Sequence, residues 1–143
     1  MKKLLKILLF CLLILGMAGV AGAESWGHVY DDDEAGYLFE LDSFQKTGAT
    51  TYTVLVKEQF TEQAGRDLSA RFNFPSDLAY TLTVKEYNYQ TREYRYLKVA
   101  FYDKDNVVIR KNDDPSGIAK IASDSVDMIM FNSTYDYYQR SYK

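Results

Sequence analysis

The fold is decided by residues 78–102, which read LAYTLTVKEYNYQTREYRYLKVAFY. Apolar and polar side chains alternate through most of this stretch, and it is rich in the aromatic and β-branched residues that favour strands. The pattern predicts a long strand at 78–89, a turn at 90–92 and a second long strand at 93–102. This hairpin is the centre from which the rest of the sheet is predicted.

The same alternation occurs on both sides of the hairpin and predicts four further strands. They lie at 25–30, 37–41, 51–60 and 107–111. Acidic, asparagine and glycine residues between them predict turns, with a single helical turn as an alternative at 42–48. The segment 61–76 is the least regular part of the chain, and we interpret it as a long connection with an extra edge strand near 70–74.

Residues 112–117 are predicted to end the sheet, and the period of the pattern changes after Gly117. Val126, Ile129 and Met130 recur at the i, i+3, i+4 spacing of an amphipathic helix, which is expected to start near Ser123 or Ser125. The sequence therefore predicts an α+β fold. It consists of an antiparallel meander of about six strands with a C-terminal helix packed on one face.

The first 23 residues have the pattern of a secretory signal peptide. Three lysines lead into an apolar run, and the segment ends in the small-x-small sequence AGA at 21–23. An uncleaved anchor is the alternative, because residues 7–23 are just long enough to span a bilayer. The small residues near the end favour cleavage. We therefore expect one exported domain at 24–143, in the periplasm or at the cell surface, with no membrane span after cleavage.

Charge and cysteine usage exclude several classes of protein. Three of the 17 basic side chains lie before residue 24, so the remainder has 14 against 20 acidic ones, which argues against a nucleic-acid partner. The only cysteine, Cys11, lies in the apolar run. A domain at 24–143 therefore offers no disulfide, cysteine nucleophile, zinc-thiolate site or iron–sulfur cluster. No cofactor is expected.

Few side chains suggest catalysis or metal binding, so we predict that the chain is not an enzyme. His28 is the only histidine, and no G-x-S-x-G motif supplies a serine partner. The acidic runs at 31–34 and 103–106 lack the spaced ligands of a calcium loop and are interpreted as turns. The glycosylation pattern at 132–134 falls within the predicted helix and is interpreted as a chance match.

The tyrosines supply the candidate binding surface. Strict alternation along 93–102 places Tyr94, Tyr96 and Lys98 on one face, with Val99 and Phe101 on the core side. Tyrosines beside a lysine are typical of protein-recognition surfaces. Tyr87 and Tyr89 would extend this surface along the neighbouring strand. The alternative is that these rings lie under the helix or in a dimer seam.

Several motifs together resemble the surface-adhesin E family. Residues 35–44, AGYLFELDSF, with the glycine turn after them are similar to the family's opening signature, and Trp26 falls on its tryptophan strand. Residues 86–95, EYNYQTREYR, are similar to the family's acid-tyrosine-x-cysteine and arginine-tyrosine-arginine segments. The strand at 52–56, and Ser125 with the helix after it, also match. The resemblance covers almost all of 24–143.

The resemblance implies a non-catalytic extracytoplasmic module that is adhesin-like and contacts another protein through its aromatic sheet face. The family's namesakes attach to host extracellular-matrix proteins, so such a protein is the implied partner, and a homodimer is a further option. Family members carry two cysteines, whose positions fall here on Tyr89 and Tyr135. An aromatic contact between these two residues is expected in place of the bridge.

A second function stays open from the residues alone. The chain is alternatively a periplasmic small-ligand-binding protein that uses an aromatic-lined cleft between sheet and helix. A pocket with converging polar groups would favour this alternative, whereas a filled interface between sheet and helix would favour the adhesin-like module.

Overall fold

The computed structural model describes residues 24–142, so the predicted signal peptide lies outside the described residues. The described part contains eight strands and two helices. They are β1 (Trp26–Asp31), β2 (Ala35–Glu40), β3 (Gln45–Lys46), β4 (Thr51–Phe60), α1 (Glu62–Phe72), β5 (Leu78–Asn88), β6 (Glu93–Asp103), β7 (Val108–Asn112), β8 (Ala119–Lys120) and α2 (Val126–Tyr142).

All strand pairs are antiparallel, and the long strands follow the order β1-β2-β4-β5-β6-β7. The two short strands are additions to this path, because β3 pairs with β4 and β8 pairs with β6. The predicted α+β fold, a meander with a C-terminal helix against the sheet, is confirmed. The single helical turn considered at 42–48 is replaced by β3, and the sheet continues after 117 through β8.

The interpretation of 61–76 as a connection with an edge strand near 70–74 is wrong, because α1 occupies Glu62–Phe72. The helix has clear end signals. The Thr61 side chain accepts a hydrogen bond from the Ala64 amide, and Asn73 closes the helix in the left-handed conformation at φ 55°. Its buried residues are small, Ala64, Gly65 and Ser69, so the helix lacks the periodicity of large apolar side chains that reveals α2.

An aromatic core fills the space between α2 and the sheet. Tyr52 is central to it: its ring lies 4.6 Å from that of Tyr138, and its hydroxyl is 2.9 Å from the Thr134 hydroxyl on α2. The rings of Tyr89 and Tyr135 stack at 4.9 Å, so the aromatic contact expected at these two positions is present. Helix α2 is therefore held to the sheet by stacked rings.

A β-bulge in β6 changes which side chains share a face. Val84 pairs with Lys98 but Lys85 pairs with Tyr96, so Leu97 is an extra residue in β6 and the alternation reverses there. The prediction of one continuous face through Tyr94, Tyr96 and Lys98 is wrong. Tyr94 and Tyr96 share the helix-covered face with Val99 and Phe101, whereas Lys98, Ala100 and Tyr102 lie on the opposite face.

Candidate ligand-binding cleft

A cleft of about 450 Å³ lies between the sheet, α1 and the first turns of α2. Strands β4, β5 and β6 form its floor, and the helices contribute its walls. The residues that line the cleft include Glu34, Tyr37, Val56, Glu58, Phe60, Phe72, Phe74, Thr81, Thr83, Lys85, Tyr96, Val99, Phe101, Asp127 and Met130. The volume is within the range of roughly 300–1,000 Å³ that is usual for small-molecule sites.

The cleft exists because short side chains occupy the floor where the two helices do not meet. Further along β5, the large ring of Tyr87 fills the space under α2 and is fully buried. Thr81 and Thr83 stand on the same face of β5, and their short side chains leave the space above them open. Helix α1 closes the far side, where the Ser69 hydroxyl accepts a hydrogen bond of 2.7 Å from the Leu78 amide.

One end of the cleft is apolar and aromatic. The ring of Phe74 lies 5.3 Å from that of Phe101 and 6.0 Å from that of Phe72. Phe72 ends α1 and leaves about half of its surface exposed, although it belongs to the lining. Phe72, Phe74 and Phe101 together make this end of the cleft apolar.

The other end is polar and is organised around an ion pair. The Lys85 ammonium from β5 lies 2.6 Å from the Asp127 carboxylate in the first turn of α2, and the two side chains are only 10% and 29% exposed. The same ammonium lies over the rings of Tyr94 and Tyr96, at 5.6 and 5.2 Å from their centroids. Two aromatic faces and a carboxylate therefore form a cage for a positive charge.

Two further groups near the ion pair, one in the cleft and one in the core, are poorly solvated. Burial raises the pKa of the Glu58 carboxyl, while a hydrogen bond from Tyr37 and the charge of Lys85 act in the opposite direction. The Tyr87 hydroxyl is buried and has no hydrogen-bond partner among the described residues. Its pKa is raised by burial and then by Tyr52 and Asp127.

The structure separates the residues that were predicted to form one binding surface. Tyr96 is 37% exposed and lines the cleft, and Tyr94 is partly buried beside it. Tyr87 belongs to the core under α2, which agrees with the alternative that some of these rings lie under the helix. Lys98 lies on the opposite face. The four predicted contact residues therefore do not form one surface.

Sequence reasoning missed the charged residues of the cleft. Glu58 occupies the face of β4 that also carries Val54 and Val56, and Lys85 lies on the core-facing side of β5 with Thr83. Charged side chains at core-facing positions of two neighbouring strands are the signal that points to this cleft.

The acidic runs act as turns, as the sequence predicts. The Asp32 carboxylate accepts hydrogen bonds from the Glu34 and Ala35 amides, and the Asp103 carboxylate accepts two from the following turn. Within 24–142 no group of three or more histidine, cysteine, aspartate or glutamate side chains is arranged to hold a metal ion. His28 pairs with the exposed Asp31 at 2.9 Å.

Neither helix of the described part is long and apolar enough to cross a membrane. Comparisons with protein-family models, curated proteins and solved structures find no match. The resemblance to the surface-adhesin E family therefore stays a prediction.

Proposed function

We propose that this chain is a non-catalytic extracytoplasmic binding module that takes up a small amphipathic ligand in the cleft. The observation that carries the proposal is the division of one cavity into an aromatic end around Phe72 and Phe101 and a polar end around Lys85 and Asp127. Sites for small molecules combine mostly apolar walls with a few well-placed polar groups. The signal-peptide pattern and the resemblance to the surface-adhesin E family support export and a role in binding.

A small ligand is favoured over a flat protein contact by two features of the helix-covered face. The part of this face under α2 is filled by the rings around Tyr52, but the part over Thr81 and Thr83 is open and has converging polar groups. The predicted protein-binding set also loses two members, because Tyr87 is in the core and Lys98 faces the other way.

A second candidate is contact with a protein, such as a host extracellular-matrix protein or a second copy of the chain, through Tyr94 and Tyr96. The exposed ring of Tyr96, 5.7 Å from that of Tyr94, favours it. Tyr94 is not among the residues that line the cleft. A Tyr94→Ala variant that loses a protein partner but keeps its affinity for the uncharged dye described below would favour this second candidate.

Ligand uptake is tested by titrating the purified protein with N-phenyl-1-naphthylamine, an uncharged aromatic dye that fluoresces in apolar surroundings. We expect saturable binding at one site. Phe72→Ala removes part of the apolar wall and should weaken binding about fivefold, because the lost contact is worth roughly 1 kcal/mol.

The matched control is Ile118→Ala, which truncates an exposed apolar side chain outside the cleft lining. It should leave the dye affinity unchanged, and circular dichroism should show both variants folded. Non-saturable binding, or an equal loss in the two variants, would contradict the proposal.

A further inference from the structure

We infer that the cleft selects an amphipathic ligand whose polar head is positively charged, such as an alkyl- or arylammonium compound. This inference rests on the proposed function and names the chemical class of the ligand.

The charges that line the cleft are predominantly negative. Of the described residues that line the cleft, Glu34, Glu58 and Asp127 contribute three carboxyl groups and Lys85 the one ammonium group. Arg110 contacts the ring of Phe74 but is not among the lining residues. Lys85 is paired with Asp127 at 2.6 Å, and Glu58 accepts a hydrogen bond from Tyr37, so neither Glu34 nor Glu58 forms a salt bridge within the described part of the chain.

The polar end already accommodates one ammonium group. Lys85 lies over two tyrosine rings and beside a carboxylate, which are the groups that recognise organic cations. Glu58 extends this environment into the open cavity, because it lines the cleft and Tyr37 lies beside it. A ligand ammonium next to Glu58 would gain a carboxylate partner without displacing Asp127 from Lys85.

An anionic head is disfavoured at the same place. To reach Lys85, the one cationic side chain among the described lining residues, it would have to displace Asp127, and it would then lie near the carboxyl groups of Asp127 and Glu58. Unfavourable contacts of this kind separate ligands of opposite charge even when their apolar bodies are identical. The aromatic end, with Phe60, Phe72 and Phe101, accepts the apolar body in either case.

The test compares three amphiphiles with the same ten-carbon chain, each below its micelle concentration: decyltrimethylammonium, decyl sulfate and decyl maltoside. Their affinities are measured by displacement of the bound dye and by calorimetry at low ionic strength. We expect the ammonium compound to bind at least about tenfold more tightly than the sulfate, which corresponds to roughly 1.4 kcal/mol.

Glu58→Gln keeps the shape of the side chain and removes its charge, so it should lower the preference for the ammonium compound at least about threefold. Glu62→Gln is the matched control, since Glu62 is exposed and outside the cleft lining. It should leave the preference unchanged.

The outcomes separate the two proposals. Equal binding of all three amphiphiles, a preference for the sulfate, or an unchanged preference in Glu58→Gln would overturn the inference but leave a ligand-binding cleft. If the dye binds saturably but none of the amphiphiles displaces it, the inference is wrong and the proposed cleft stands; if neither the dye nor any amphiphile binds, both the inference and the proposed function are wrong.

Discussion

Replacing Gly65 with alanine is expected to destabilise the protein by about 3 kcal/mol, although alanine is the better helix former. A methyl group at Gly65 would collide with the backbone carbonyl oxygen of Leu78 at the start of β5. The backbone cannot rotate away as a side chain would, and the hydrogen bond between Ser69 and the Leu78 amide fixes the approach of α1 to this strand. The gain in helix propensity is only about 1 kcal/mol. The steric cost is larger, so the substitution lowers the free energy of unfolding.

Gly117→Ala is the matched control for this substitution. A methyl group at Gly117 meets no atom within 4 Å, so the free energy of unfolding should change by less than about 0.5 kcal/mol. Urea unfolding followed by circular dichroism measures both variants. A Gly65→Ala protein as stable as the parent would show that α1 does not pack on β5 in this way. The position of α1 as a wall of the cleft would then be wrong.

Replacing Tyr52 with alanine is expected to cost about 3–5 kcal/mol, the usual range for removing a buried aromatic side chain. Tyr52 is fully buried and contacts rings from the sheet, the β2–β3 connection and α2, at centroid distances of 4.6–6.3 Å. Its loss also removes the hydrogen-bond partner of Thr134 across the interface. The measurement is again the free energy of unfolding in urea.

Tyr30→Ala is the control, because this tyrosine is exposed on the edge strand β1 and its ring contact is with Tyr37. It should cost less than about 1 kcal/mol. Equal losses in the two variants would mean that the aromatic cluster does not hold α2 against the sheet.

The number of ring contacts explains how α2 is held without a disulfide. A bridge that closes a loop of this length is worth about 4–5 kcal/mol in the entropy model, and one aromatic pair roughly 0.5–1.5 kcal/mol beyond burial. Besides the Tyr89–Tyr135 stack, α2 makes further ring contacts with the sheet and the β2–β3 connection. They are Phe39–Tyr137, Phe44–Tyr137, Phe44–Tyr138, Phe44–Tyr142, Tyr52–Tyr135, Tyr52–Tyr138 and Tyr87–Phe131. Together they are comparable with one bridge.

The sheet and α2 could be predicted because large side chains repeat with the period of the element that buries them. Strand β4 lies at the predicted residues 51–60, since Tyr52, Val54, Val56 and Phe60 recur there on one face. Helix α1 was not predicted, because the residues that it buries are small and leave no periodic pattern of large apolar side chains. The sequence features that indicate this helix are its capping residues, Thr61 and Asn73.

The binding surface was harder to predict for a physical reason. The bulge at Leu97 reverses the faces of β6, and the sequence RYLKVAF at 95–101 alternates equally well with or without it. The register of β6 against β5 determines which side chains share a face, and this register depends on contacts between the two strands. Only this register brings Tyr96 and Val99 to the same face as Lys85 and places Lys98 opposite.

The central claim, that the ligand lies between the helices and the sheet, is tested most directly by nuclear Overhauser contacts between the bound dye and methyl groups of the protein. We expect contacts from the dye ring to Val56, Thr83 and Met130, which line the cleft. Leu82 and Val84 neighbour Thr83 in β5 but lie on the opposite face of the sheet, and they should show none. Contacts to Leu82 and Val84 without contacts to Thr83 would place the ligand on the other face and contradict the proposal.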